Sequence, residues 1–130
     1  MQICPCGSGD PFEKCCEAII NGTKAAPTAK ALMQSRYTAF TLANADYLMK
    51  SWAIETRNIN EKEEIRQWAK SVRWVKLKIL DTHAGLENDL TGYVTFQAFF
   101  RDKGKLNQIH EKSYFEKREG LWVYVSGTHQ

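Results

Sequence analysis

Apolar positions along this chain change period near Val72, dividing it into a helical part and a strand part. Ahead of the helices, residues 21–30 are small and polar and read as a hinge. Pro27-Thr28 then supplies a helix start, with Thr28 as N-cap because its hydroxyl can accept an orphan backbone N–H. That helix is predicted to reach about Leu42, with Leu32, Ala39 and Phe40 on one stripe. Asn44 is expected to cap a second helix carrying Leu48 and Trp52 four residues apart. Asn60, followed three residues on by Glu63, resembles the capping box of a third. In it Ile65, Trp68, Ala69 and Val72 fall at i, i+3, i+4 and i+7, the pattern of a helix buried on one face.

After Val72 the period becomes two. Val75, Leu77 and Ile79 alternate with Lys76 and Lys78, which predicts a half-buried strand. A second strand is expected over 91–101, a hairpin turn at 102–105 with Gly104 at the left-handed position, and a third strand over 106–117. Glu119-Gly120 turns the chain into a fourth strand over 121–126. Three helices followed by four antiparallel strands give an α+β class, helices packed on one face of a curved antiparallel sheet.

Composition narrows the function. With 130 residues, 43% of them hydrophobic, the chain can bury the core of one domain plus an appendage. Eighteen basic and 15 acidic side chains are interspersed and leave a net charge of +3, which argues against nucleic acid as a partner. No apolar run approaches the roughly 20 residues a membrane span needs. The start, Met1-Gln2-Ile3-Cys4, has no apolar signal region, so a cytoplasmic setting is expected. No nucleophile–base pair, phosphate-cradling loop or dinucleotide fingerprint is present, and His83, His110 and His129 lack metal-ligand spacing. The chain leans away from enzyme chemistry, and no residue is assigned as catalytic.

The strongest chemical signal is the four cysteines within the first sixteen residues: Cys4-Pro5-Cys6, then Gly7-Ser8-Gly9, then Cys15-Cys16. Structural zinc takes four such ligands in a tetrahedron, with sulfur about 2.3 Å from the ion. A four-thiolate set leaves no position for substrate, so the expected cofactor is one structural zinc ion. Disulfides are the alternative. Adjacent cysteines have Cα atoms only about 3.8 Å apart, too close for an easy bridge, but crossed pairs such as Cys4–Cys15 stay open. Iron also accepts four thiolates. Metal binding can organise such a segment with on the order of 10–16 kcal/mol.

The run Cys4 to Gly9 followed by Cys15-Cys16 resembles the SEC-C zinc motif, best known from the tail of the SecA translocation ATPase. Residues 32–40 (Leu-Met-Gln-Ser-Arg-Tyr-Thr-Ala-Phe), 45–48 (Ala-Asp-Tyr-Leu) and 110–115 (His-Glu-Lys-Ser-Tyr-Phe) are similar to the uncharacterised bacterial YchJ-type proteins. The resemblance covers essentially the whole chain. It implies a zinc-binding motif and linker at 1–26 and a nuclear-transport-factor-two-like, cystatin-like cone at 27–130, with Cys4, Cys6, Cys15 and Cys16 as zinc ligands. The SecA tail has a lysine-rich loop here, whereas this chain reads Asp10-Pro11-Phe12-Glu13-Lys14. A basic partner-binding face is therefore not expected.

A curved sheet wrapped on helices leaves a concavity where ligands can sit. On the third strand Phe115 belongs to a core, so Glu111 and Ser113 are predicted to face inward with it. An inward carboxylate needs a partner, and Arg36 in the first helix is the natural one. Arg36, Tyr37, Glu111 and Ser113, with Trp52 nearby, are therefore the candidate ligand-pocket cluster. It reads either as a structural ion pair or as a pocket lining. The expected function is a zinc-binding protein-interaction or small-ligand module. A small cone enzyme using Glu111 as base and Tyr37 or Tyr114 as proton donor is the alternative. Apolar residues on both faces of the fourth strand, Trp122 and Tyr124 against Leu121, Val123 and Val125, suggest a homodimer through the sheet's outer face or cover by the zinc arm.

Overall fold

The structure is a computed structural model, described here for residues 2–130. An N-terminal arm holds a 3-10 turn, Phe12–Lys14, and the short helix α1, Cys16–Ile20. Helices α2 (Ala29–Thr41), α3 (Ala45–Lys50) and α4 (Lys62–Ser71) follow, then strands β1 (Arg73–Ala84), β2 (Thr91–Asp102), β3 (Lys105–Arg118) and β4 (Leu121–His129). The strands form one antiparallel sheet in the order β1-β2-β3-β4. Both tight hairpins turn on two left-handed residues, Lys103-Gly104 and Glu119-Gly120.

Two helix starts lie where their caps predict. The Thr28 hydroxyl accepts from the Ala31 N–H at 3.0 Å, and the Asn44 side chain accepts from the Tyr47 N–H at 3.0 Å. The third expected cap moves. Asn58, not Asn60, accepts a backbone N–H, and it caps a separate 3-10 turn, Ile59–Glu61, ahead of α4. Helix α3 also ends at Lys50, so Trp52 lies beyond it in an isolated bridge with Tyr124 of β4.

The α2 side chains Leu32, Met33 and Tyr37 pack on the sheet's inner face, against Leu77, Val94, Phe96, Phe115 and Trp122. Here β1 departs from simple alternation. A register shift between Trp74 and Lys76 makes Val75 the extra residue, 48% exposed, while Trp74 turns in beside Tyr37, Phe40, Trp68 and Phe100. Trp68 sits at the rim of that aromatic group, 37% exposed, so the α4 stripe is less buried than its spacing predicts. β1 shifts again between Ile79 and Asp81, and a third shift, between Tyr114 and Phe115, leaves Val125 without a register partner, while β4 runs on to His129.

The arm docks on α2. Ile19 and Ile20 pack against Ala39, Tyr47 and Leu48, and the Cys4 Sγ lies 3.8 Å from the Thr38 hydroxyl. The expectation that the arm covers the outer face of the sheet is corrected by this placement: the arm's apolar side chains find their partners on the helices. Among the described residues, no helix is long and apolar enough to cross a membrane.

Candidate metal centre and cone cavity

The arm is a small backbone-bonded loop. Cys4 N–H donates to the Asp10 carbonyl at 2.9 Å, Phe12 N–H to the Gln2 carbonyl at 2.9 Å, and Cys15 N–H to the Phe12 carbonyl at 3.1 Å. These bonds carry Cys15 and Cys16 back over Cys4 and Cys6. All four Sγ atoms lie within 4.8 Å of one another, and Cys6 and Cys15 are 3.6 Å apart at sulfur. A tetrahedron of sulfurs about 2.3 Å from an ion has edges of about 3.8 Å, so the quartet is close to what a metal requires. The four thiols are free, not disulfide-bonded.

Crowding sets their acidity. Cys6 is lowered to about 5, chiefly by its hydrogen bond with the Cys16 thiol, with the Ser8 side chain and backbone adding to the effect. Cys16 is pushed up, first by the same hydrogen bond and then by burial, and Cys15 is pushed up chiefly by burial. Four ionised sulfurs at this spacing need a cation between them. The cluster could hold a metal ion.

A cavity of about 220 Å³ opens between α2 and the sheet. The structure places all five candidate pocket residues, Arg36, Tyr37, Trp52, Glu111 and Ser113, on its lining. Register explains the β3 pair: Glu111 stands opposite Phe96, Ser113 opposite Val94 and Phe115 opposite Gly92, so the three share the inner face.

The expected Arg36–Glu111 ion pair does not form; among the described residues no carboxylate lies within 4.0 Å of Arg36. Arg36 Nη1 instead donates to the Leu48 carbonyl at 2.9 Å and to the Ser51 hydroxyl at 2.6 Å. The carbonyls of a helix's last turn lack intrahelical partners, and here the guanidinium closes the end of α3. Its Cζ lies over the Tyr124 ring, 4.7 Å from the centroid. Glu111 Oε2 accepts from the Ser113 hydroxyl at 2.6 Å and, more weakly, from the Tyr124 hydroxyl at 3.4 Å. Tyr124 therefore links the two charges, ring to one and hydroxyl to the other. Burial lowers Arg36 to about 10, which leaves it cationic at neutral pH, and raises Tyr37 and Tyr124 to about 12.

Tyr114 does not reach the cavity. It points to the outer face, where its hydroxyl donates to the Glu116 carboxylate at 2.9 Å, so it is not a donor toward Glu111. Sequence reasoning missed Tyr124 as a cavity residue and missed Gly127, where a Cβ would collide with the Glu111 carboxylate and come within 2.8 Å of the Tyr124 hydroxyl. A lone glycine inside a strand marks a close approach, which was the available signal.

Two family models match the chain. The family model described as the YchJ middle NTF2-like domain matches residues 28–127, and the SEC-C motif matches residues 2–18. UPF0225 protein SCO1677 of Streptomyces coelicolor is 44% identical over 124 residues, covering 95% of this chain and 93% of its own. UPF0225 protein GSU1048 of Geobacter sulfurreducens is 39% identical, covering 97% of this chain and 78% of its own. The solution structure of a SEC-C motif containing protein from Rhodopseudomonas palustris has a TM-score of 0.89 at 31% identity over 99% of both chains. A putative calcium/calmodulin-dependent protein kinase type II association domain from Thiobacillus denitrificans shares the fold, with a TM-score of 0.60 at 13% identity over 82% of this chain and 98% of its own. With its cysteine quartet ahead of an α+β cone, this chain belongs to the YchJ family of SEC-C motif proteins.

Proposed function

We propose that this protein is a zinc-stapled small-ligand-binding module: one structural zinc ion held by Cys4, Cys6, Cys15 and Cys16, and a cone whose cavity takes the ligand. The observation that carries it is the convergence of four undisulfided sulfurs within 4.8 Å. With four protein ligands the ion keeps no open position, so its role is to hold the arm on α2. In this reading residues 1–26 form the metal lobe and linker and 27–130 the cone. Free thiols suit a reducing compartment, which favours the cytoplasm. Elemental analysis of native, reduced protein should give one zinc per chain, and Cys6→Ser should lower that content. No metal, or iron in its place, would overturn the assignment.

One observation favours proton-transfer chemistry as a second reading: an open cavity in which Glu111 meets a tyrosine hydroxyl, that of Tyr124. It requires Glu111 to gather a substrate proton while Tyr124 donates. Ligand binding that survives Glu111→Gln without any turnover in the parent protein would remove it.

A further inference from the structure

Arg36 is 6% exposed, carries a full charge, and has no carboxylate partner among the described residues. A buried cation without a counter-ion is costly. The two N–H groups on Nη1 are spent on Leu48 and Ser51, while those on Nε and Nη2 find no acceptor among the described residues. Tyr37 lines the same space, and its hydroxyl makes no hydrogen bond among the described residues although the residue is only 2% exposed. Donors thus outnumber acceptors at the cavity wall. The one acid there, Glu111, already answers to Ser113 and Tyr124.

The remainder of the lining is flat and apolar, with Phe40, Trp52, Trp74 and Phe96 prominent. Size limits the occupant. An apolar cavity of about 150 Å³ holds benzene, so the 220 Å³ here fits one ring with a small substituent. A guanidinium presents its N–H groups in a planar fork that matches a carboxylate.

We infer that the cone cavity binds a small aromatic monocarboxylate, its ring among the tryptophans and phenylalanines and its carboxylate at the free edge of Arg36 within reach of the Tyr37 hydroxyl. This rests on reading the cavity as a ligand pocket and does not depend on which metal fills the arm. Glu111 then acts as a selectivity element: its negative charge limits how tightly an anion is held and admits no dicarboxylate.

Three probes of nearly one shape test this: benzoate, benzamide and toluene, titrated into the full chain and followed by tryptophan fluorescence and amide NMR shifts. Benzoate should bind at least tenfold more tightly than benzamide, with shifts centred on Met33, Arg36, Tyr37 and Trp74. Glu111→Gln, which keeps hydrogen-bonding capacity toward Ser113 and Tyr124, should tighten benzoate severalfold and leave benzamide unchanged. Arg36→Met should abolish the preference for the anion. Because Arg36 also closes α3, Ala98→Leu supplies an independent check by filling the cavity without touching a charge, and it should abolish binding of all three. Equal or stronger binding of benzamide or toluene, no response to any probe, or a loss of benzoate affinity in Glu111→Gln would overturn the inference. Elemental analysis of the same samples separates the two proposals: full zinc with no benzoate binding sinks only this one, and benzoate binding without zinc sinks only the metal assignment.

Discussion

Gly127 is the sharpest test of the cavity's polar wall. It has no left-handed backbone requirement, so alanine is conformationally admissible there. What forbids a side chain is the Glu111 carboxylate, which occupies the Cβ position. Gly127→Ala must swing Glu111 away and break its 2.6 Å bond from Ser113, whose side chain is fully buried. A hydrogen bond to a charged group contributes about 1.5–3 kcal/mol. Replacing glycine inside a strand returns about 0.5–1 kcal/mol. The net expectation is a loss of about 0.5–2.5 kcal/mol, the difference of those ranges. In a Glu111→Ala background the obstruction is gone and the Tyr124 hydroxyl has room to move. There Gly127→Ala should stabilise by about 0.5–1 kcal/mol. The sign reverses, and the coupling between the two sites is about 1.5–3 kcal/mol. Urea unfolding of the four proteins, monitored by circular dichroism at unchanged m, measures the cycle. Effects that add to within about 0.5 kcal/mol, or a Gly127→Ala that stabilises the parent protein, would refute the argument.

Other expectations are simpler. A chelator able to compete for the thiolates should melt residues 2–20 and spare the sheet. Half-buried Phe12, Ile19 and Ile20 contribute less than the about 1.5–3 kcal/mol each of full burial, against about 10–16 kcal/mol from a structural metal. Hydrogen exchange should show arm amides losing protection while those of β2 and β3 keep theirs, and an arm still protected after chelation refutes this. Thr28→Ala removes the α2 cap and should cost about 1 kcal/mol, with Thr28→Ser recovering most of it in the same unfolding assay. Tyr37 and Tyr124, raised by burial to about 12, favour the fold fully below pH 10, and that contribution is lost as pH rises from 10 through 12. Tyrosinate absorbance from this buried pair should therefore appear together with unfolding above pH 10, and Tyr37→Phe should flatten the pH profile; early titration of the buried pair in folded protein would contradict it.

Local signals were legible where one residue type answers one backbone need. Thr28 and Asn44 cap because a short polar side chain suits an orphan N–H, and Lys103-Gly104 turns because the hairpin needs two left-handed residues. The inward placement of Glu111 and Ser113 followed from Phe115 and a period of two. The errors arose where tertiary structure shifts the count. Bulges at Val75, Leu80 and Val125 displace the alternation by one residue, and nothing in the local pattern announces them. The Arg36–Glu111 pair failed for a related reason. Charge complementarity was legible, but the end of α3, whose carbonyl and Ser51 hydroxyl claim the guanidinium, was misplaced by carrying that helix on to Trp52. Tyr124 reaches the same site because its strand edge is tied to Ser51 and Ala53, a pairing remote in sequence.

Helix α2 is a party wall. One side carries Thr38 and Ala39 toward the sulfur-bearing lobe, and the other carries Met33, Arg36, Tyr37 and Phe40 toward the hollow. Tyr37 and Thr38 are consecutive, so a tilt of the wall that suits one tenant is felt by the other in the next residue. Thermodynamic reciprocity makes that influence equal in both directions: by whatever factor binding a metal ion in the lobe would alter affinity in the hollow, an occupant of the hollow would alter the grip on that ion.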